Sequence, residues 1–332
     1  MSSPRWHQCI ASLLADASRT PAREQGEAFA PANIALVKYW GKRDPDLNLP
    51  CTSSLSVALG NLGATTRVSL AEADALTVNG QSEAPDGKVG RRLFDFLDPF
   101  RPTPETGFCV DTVSTIPLGA GLASSASGFA AMVNALDHLF GWDLPVTTRS
   151  ILARIGSGSA ARSVYGGFVE WQAGEQDDGS DSFAVPVESA WENLRVGLVT
   201  LSDAPKPVGS REGMNRTTAT SALYRAWPDQ VARDLPRMRD AIRAGDFSTV
   251  GPCAEQNALA MHATMWSAWP PVIYQLPETV ALLHEVHAAR ADGLPVFATM
   301  DAGPNVKLLF EAASTDAVTE RFANVRVVNP FG

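Results

Sequence analysis

The sequence predicts an α+β fold in two lobes, on three observations. The chain has 332 residues, 45% of them hydrophobic and 19% charged, which is ample for a sizeable core and too apolar for a disordered tail. Strand-like and helix-like runs are mixed without strict strand–helix alternation, unlike a parallel α/β sheet. A boundary near 185–195 then separates a strand-rich first half from a helix-rich second half.

Taken in order, residues 1–28 read as an extension with one short helix followed by a polar stretch from Arg19 to Gly26. From 29 to 115 the pattern is mostly β: TTRVSL and ALTV alternate as strands do, and Asn79-Gly80 marks a turn. KVGRRLFDFL has the spacing of an amphipathic helix, and GFCVDTVSTI that of a strand. A glycine-rich turn opens into a long small-residue helix, SSASGFAAMVNALDHLF, and a second helix follows near 146–155. GFVEW and RVGLVTLS read as strands. Helices are expected at 212–226, 229–243, 247–265 and 277–291, before the closing strands PVFATM, VKLLF and VRVVN.

Acidic residues number 36 against 27 basic, a net charge of −9, so long-range attraction disfavours nucleic acid and anionic membranes. An anionic ligand must meet a local cluster of cations and backbone amides. Cys9, Cys51, Cys109 and Cys253 lie far apart, without disulfide or zinc spacing, and fit a reducing compartment. With no convincing leader and no membrane-length apolar run, the expectation is a soluble, cytoplasmic protein.

Four segments can carry chemistry. In Pro117-Leu-Gly119-Ala-Gly121-Leu122-Ala123-Ser124-Ser125-Ala-Ser127-Gly128 a strand feeds a glycine-rich turn that opens a helix. Close backbone approach, free N–H groups and the helix dipole suit a phosphate, and the serines add hydroxyls. It is neither a Walker A loop nor a good dinucleotide fingerprint, and a tight turn with small packing residues is the alternative. In Asn33 to Asp44, read as a strand, Lys38 and Lys42 fall on one side and flank Trp40, ready for a multiply charged anion; solvated lysines at a strand end are the alternative.

In Gly156-Ser157-Gly158-Ser159-Ala-Ala-Arg162, a cap at Ser159 would put Arg162 in the first turn of a helix, where a cation opposes the dipole unless an anion sits between. The oddity recurs at Ser210-Arg211-Glu-Gly-Met214, where an exposed Arg paired with Glu212 is the alternative. Asp301-Ala-Gly-Pro-Asn305 reads on spacing alone as a turn, and otherwise as a carboxylate aimed into a cleft to orient or deprotonate a hydroxyl. The five histidines lack metal spacing; His262 reads as a core or surface residue, and His284 with His287 is weak evidence for a metal.

Together these segments resemble the mevalonate diphosphate decarboxylases, a branch of the GHMP kinase superfamily. The matching stretches are APANIALVKYWGKRD, PLGAGLASSASGFAA, ARIGSGSAARSVYGGFVEW, SREGMNRTTATS, MHATMWSAWPPVIY and MDAGPN, in the family's order across roughly 29–330. The resemblance implies a GHMP two-lobe fold, with a left-handed βαβ unit in an N-terminal lobe at 29–190 and a ferredoxin-like C-terminal lobe at 191–332. It implies ATP-dependent, Mg²⁺-requiring conversion of (R)-5-diphosphomevalonate to isopentenyl diphosphate, ADP, phosphate and CO₂, by a homodimer. It gives Asp301, Arg162, Lys38 and Asn33 catalytic roles. Tyr39, Trp40, Lys42, Ser157, Ser159, Ser210, Arg211 and Met214 are implied for substrate. Gly119, Gly121, Leu122, Ala123, Ser124, Ser125, Ser127 and Lys206 are implied for ATP, with Ser125 also on Mg²⁺. A decarboxylase of 5-phosphomevalonate, or a mevalonate 3-kinase, would keep the same fold.

Overall fold

The computed structural model describes residues 4–116 and 124–332. Helix α1 (Arg5–Leu13) precedes a long strand β1 (Gln25–Val37), a small hairpin β2 (Lys42–Asp44) and β3 (Leu49–Pro50), and the strand β4 (Ser54–Ala71). Then come β5 (Ala75–Val78), β6 (Gln81–Glu83), α2 (Lys88–Leu97), β7 (Gly107–Ser114), α3 (Ser124–Phe140), α4 (Val146–Gly156), β8 (Phe168–Trp171) and β9 (Ala184–Pro186). The sheet order is β6-β5-β7-β4-β8-β9, with β1 also paired to β4. β4 runs 18 residues, far beyond the TTRVSL segment, because β1 pairs along most of it while β7 and β8 take its other edge at opposite ends. β5 and β7 are parallel, with α2 between them in the chain.

The second half holds β10 (Leu194–Val199), α5 (Ser210–Thr220), α6 (Trp227–Ala244), α7 (Phe247–Trp266), α8 (Pro277–Ala291), β11 (Phe297–Met300), β12 (Val306–Glu311), α9 (Thr315–Arg321) and β13 (Arg326–Val328). Its sheet is antiparallel in the order β11-β12-β10-β13, which is the ferredoxin-like arrangement.

The small residues of α3 are explained by packing. The helix lies so close to β1 that a Cβ on Gly26 would fall 1.9 Å from the Ala135 carbonyl oxygen. One apolar cluster crosses between the two sheets, joining Ile34, Leu36, Trp40 and Leu55 to Leu194, Trp227, Met261 and Met265. The two halves therefore share a core.

Several expectations change in detail. β1 begins at Gln25, inside the stretch read as extension, because residues 25–28 pair with 66–69 of β4. The helix expected at 212–226 ends at Thr220: Ser221 is extended, and its hydroxyl accepts the Tyr224 N–H to start a separate 3₁₀ turn. The single strand expected through Lys38 and Lys42 does not exist. β1 stops at Val37, and Gly41 adopts φ +98° before β2 starts, so Lys38 and Lys42 do not flank Trp40 as period two requires. Arg162 does not open a helix either; it closes the 3₁₀ turn Gly158–Arg162, so its placement there carries no dipole conflict.

Gly41 is under double constraint, since an added Cβ would also lie 1.9 Å from the Tyr224 hydroxyl, which donates to the Trp40 carbonyl. Gly41→Ala is expected to cost about 2–3 kcal/mol in urea denaturation; a loss below about 0.5 kcal/mol would mean the turn relaxes freely.

Candidate active site

Asp301 stands on the loop between β11 and β12. That loop is fixed on both sides. Asn305 Oδ1 accepts the Leu201 and Ser202 N–H groups at 2.7 and 3.0 Å, and the Thr279 hydroxyl donates to the Pro304 carbonyl at 2.8 Å. Lys38 Nζ meets Asp301 Oδ1 at 2.9 Å, and Lys307 Nζ lies 3.7 Å from Oδ2. Both lysines are 1% exposed. Burial alone would raise the Asp301 pKa, but Lys38, Lys307 and Lys206 outweigh it and hold the carboxyl well below the usual range. Burial pushes the Lys38 and Lys307 ammoniums down, and Asp301 pulls them back toward the charged form.

Lys38 is aimed by its own backbone. Its N–H donates to Asn257 Oδ1 at 2.8 Å, and Asn257 Nδ2 is held by Asp234 at 2.7 Å, so α6 and α7 fix the end of β1. Lys206 is exposed and reaches over the loop; a Cβ on Gly303 would be 3.7 Å from its Nζ. His262 Nε2 lies 3.1 Å from the Asp301 carbonyl oxygen. Burial, then the Lys38 charge, lowers the His262 pKa to about 4, which keeps the ring neutral at neutral pH.

Arg162 is 3% exposed. Its Nη2 donates to Asn33 Oδ1 at 3.1 Å and its Nη1 to the Ser54 hydroxyl. Asn33 in turn donates to the Ser163 hydroxyl at 2.8 Å and to the Ser159 carbonyl at 3.3 Å. Burial lowers the Arg162 pKa to about 10, still charged, with Asp301 opposing the shift. Asn33 and Arg162 thus form one hydrogen-bonded unit.

A second group of cations lies around Gly156. Arg92 donates to the Gly156 carbonyl at 3.0 Å and stacks on Phe129 at 5.0 Å. Lys42 donates to Asn48 Oδ1, and Asn48 Nδ2 is tied to the Arg154 and Ile155 carbonyls at 3.0 and 2.7 Å. Arg211 is the second residue of α5, where a cation opposes the helix dipole. Glu212 pairs with Arg216 at 2.5 Å, so it does not neutralise Arg211. Among the described residues none of Lys42, Arg92 and Arg211 has an acidic partner within ion-pair distance. Burial, then Arg211 and Arg92, lowers the Lys42 pKa to about 8. Arg92, Arg211, Asn48 and Gly156 line a cavity of about 670 Å³. Asp46, Asp86 and Asp95 line it too, so cations and carboxylates share its wall.

The remaining expected residues fall into three groups. Tyr39 sits over the turn after α4; its hydroxyl is buried with no hydrogen-bond partner, and a Cβ on Gly158 would lie 2.8 Å from it. The Ser157 hydroxyl is 3.3 Å from that of Ser125, joining the start of α3 to this turn, with Ser124 exposed beside them and Ser159 and Ser210 half-buried. Trp40 and Met214 belong to the shared core, and Ser127 is fully buried with its hydroxyl on the Ser124 carbonyl at 3.2 Å. Gly119, Gly121, Leu122 and Ala123 lie outside the described residues.

Sequence reasoning missed Lys307, Arg92 and Ser54 and gave His262 no place at the site. A lysine inside the apolar run VKLLF was the available signal for Lys307. Arg92 looks like any solvated residue on the polar face of an amphipathic helix, and nothing in the sequence marks Ser54 or His262. Among the described residues no group of three or more His, Cys, Asp or Glu side chains forms a metal site, and no helix is long and apolar enough to cross a membrane.

An anion settling among Lys42, Arg92 and Arg211 needs Lys42 charged. Affinity for inorganic pyrophosphate, measured by calorimetry, is expected to fall about threefold or more from pH 7 to 9, and Lys42→Arg to flatten that slope. Stability has the opposite sign. The folded pKa lies below the ordinary 10.5, so between about 8 and 10.5 the unfolded chain binds more protons and the Lys42 contribution to stability rises with pH. A flat affinity profile in the unaltered protein would remove Lys42 from the anion site.

Comparison with known proteins adds the following. Residues 30–184 match the diphosphomevalonate decarboxylase-like N-terminal domain, and 196–329 match the mevalonate 5-diphosphate decarboxylase C-terminal domain. The diphosphomevalonate decarboxylase of Gibberella zeae is 38% identical, over 88% of this chain and 82% of its own. The human diphosphomevalonate decarboxylase is 39% identical, over 83% and 74%. The crystal structure of mevalonate diphosphate decarboxylase from Staphylococcus aureus superposes with a TM-score of 0.87 at 37% identity, covering 92% of this chain and 95% of that one. A structure of MDDEF in complex with MVAPP, AMPPCP and magnesium gives a TM-score of 0.84 at 37% identity, covering 92% and 96%.

Proposed function

We propose a reaction for this chain from the premise that it belongs to the diphosphomevalonate decarboxylase family: ATP-dependent decarboxylation of (R)-5-diphosphomevalonate to isopentenyl diphosphate, with ADP, phosphate and CO₂ as the other products. The observation that carries it is the half-buried carboxylate Asp301 between two buried lysines, with the Arg162–Asn33 unit coupled to it electrostatically. A β-hydroxy acid has no electron sink, so CO₂ can leave only if the β-carbon carries a good leaving group. Phosphorylation of the tertiary hydroxyl supplies one. The C–O pair then departs with phosphate, and the pair of the breaking bond to the carboxylate becomes the new double bond.

The residues divide this work. Asp301 faces the tertiary hydroxyl. A carboxylate held so far below its usual pKa is a weak base toward an alcohol, so it first orients the hydroxyl and takes its proton only as the new P–O bond makes that proton acidic. Lys38 and Lys307 keep Asp301 ionised, and Lys38 stands next to the charge that develops during transfer. Arg162, fixed by Asn33 and Ser54, holds the substrate carboxylate until it fragments. Lys42, Arg92, Arg211, Tyr39 and Ser157 take the diphosphate, with Ser159 and Ser210 beside them, while Trp40 and Met214 support this wall from the core. The loop at 119–128 and Lys206 hold the ATP phosphates.

The fit to Mg²⁺ is through oxygen. Ser125 presents a hydroxyl next to that of Ser157, and a small hard cation that takes its other ligands from phosphates and water needs little more from protein. When bound, Mg²⁺ neutralises phosphate charge, and Ser125 is the residue we assign to hold it. We take the lobes to meet within 185–195, with 29–190 and 191–332 as the two units. Cytoplasmic residence fits four unpaired cysteines, Cys9, Cys51, Cys109 and Cys253. Homodimerisation is carried by the family resemblance.

The test is release of ADP and CO₂ from ATP and Mg²⁺ with diphosphomevalonate, 5-phosphomevalonate or mevalonate. Equal ADP and CO₂ with preference for the diphosphate is expected; preference for the monophosphate, or ADP without CO₂, would overturn the assignment. Asp301→Asn and Arg162→Lys are each expected to lower kcat by about a thousandfold, with KM for ATP changed by less than about threefold.

A further inference from the structure

Helix α1 lies ahead of the stretch that the family profiles match, which begins at residue 30. It is nevertheless anchored in the first lobe: Ile10 and Leu14 are 0% and 2% exposed and join the core cluster of Phe129 and Ile155. That anchorage directs the first turn of α1 at the cation site. Arg5 forms an ion pair with Asp44 at 2.5 Å and donates to the Asp177 carbonyl at 2.7 Å. Trp6 lines the same cavity as Asn48, Arg92, Gly156 and Arg211.

The hairpin β2–β3 needs such support. Its strands have three and two residues and join neither large sheet. A two-stranded hairpin of that size does not hold its shape unaided. Asp44 shapes its turn by accepting the Asp46 and Leu47 N–H groups at 2.9 and 3.0 Å, and Arg43 ties it to the Gly174 and Gln176 carbonyls at 3.3 and 3.0 Å. Arg5 grips the hairpin at Asp44, two residues from Lys42, while Asn48 on the same hairpin holds the Lys42 ammonium.

We propose that α1 is part of the substrate site: it braces the hairpin that carries Lys42 and walls the cavity with Trp6, so that Arg5 and Trp6 are positioning residues for the diphosphate end of the substrate. This rests on the reading of the Lys42–Arg92–Arg211 cavity as the phosphate site. Neither residue touches the reacting carbon. Their effect falls on binding and leaves the chemical step alone.

Deleting the helix would strip Ile10 and Leu14 from the core, so point variants are the cleaner test. In Arg5→Ala/Trp6→Ala the dissociation constant of inorganic pyrophosphate, by calorimetry, is expected to rise about threefold to tenfold, since one half-exposed ion pair and one aromatic wall are lost. KM for diphosphomevalonate should rise in parallel, with kcat within about twofold. Ser12→Ala, on an exposed position of the same helix, should change neither. Unchanged pyrophosphate affinity in the double variant overturns the proposal, whether the melting temperature holds or falls; a fall alone would make α1 a purely structural element. Pyrophosphate binding without turnover of diphosphomevalonate in the unaltered protein would count against the proposed reaction while leaving the role of α1 standing.

Discussion

A half-buried carboxylate between two buried ammonium groups sets the terms for everything around it. Lys38 and Lys307 approach Asp301 from separate elements and hold it ionised, and Asp301 in turn favours the charged form of both buried lysines against the cost of burial. Taking away one partner leaves a stranded buried charge, a loss of about 3–5 kcal/mol in comparable pairs. The cluster therefore constrains geometry as well as charge: the end of β1, the start of β12 and the loop between β11 and β12 must arrive together. Hydrogen bonds accepted by Asn257 and Asn305 and donated by Thr279 hold those pieces in place.

The anion-facing wall follows a different rule. The chain as a whole carries −9, yet among the described residues Lys42, Arg92 and Arg211 form no ion pair, although Asp46, Asp86 and Asp95 line the same cavity as the two arginines. The lowered Lys42 pKa records first its burial and then the repulsion of Arg211 and Arg92, and an anion placed among them would offset that repulsion.

Much of this was legible in sequence, and the failures have physical causes. Glycine, serine and arginine at 156–162 and 210–211 pointed to anion binding; Arg211 lines the cavity and Arg162 is buried against Asn33 and Ser54, and for Arg162 the dipole reasoning was wrong because a 3₁₀ turn replaces the expected helix. Period two failed at Lys38–Lys42 because one left-handed glycine cancels strand periodicity. Asp301 read locally as a turn residue, and it is one; its chemistry comes from Lys307 and Lys38, which only the tertiary fold brings near. Arg92 and His262 depend on long-range packing in the same way. The ferredoxin-like order of the second sheet was implied by resemblance, since strand order leaves no trace in hydrophobic period.

The core shared between the two sheets also bears on how the chain is made. Ile34, Leu36, Trp40 and Leu55 are enclosed by residues more than a hundred positions downstream, among them Trp227 and Met261. As the polypeptide leaves the ribosome, the first sheet is complete in sequence well before α6 and α7 exist to cover that apolar face. The emerging amino-terminal half thus carries a bare hydrophobic surface until α6 and α7 have been made.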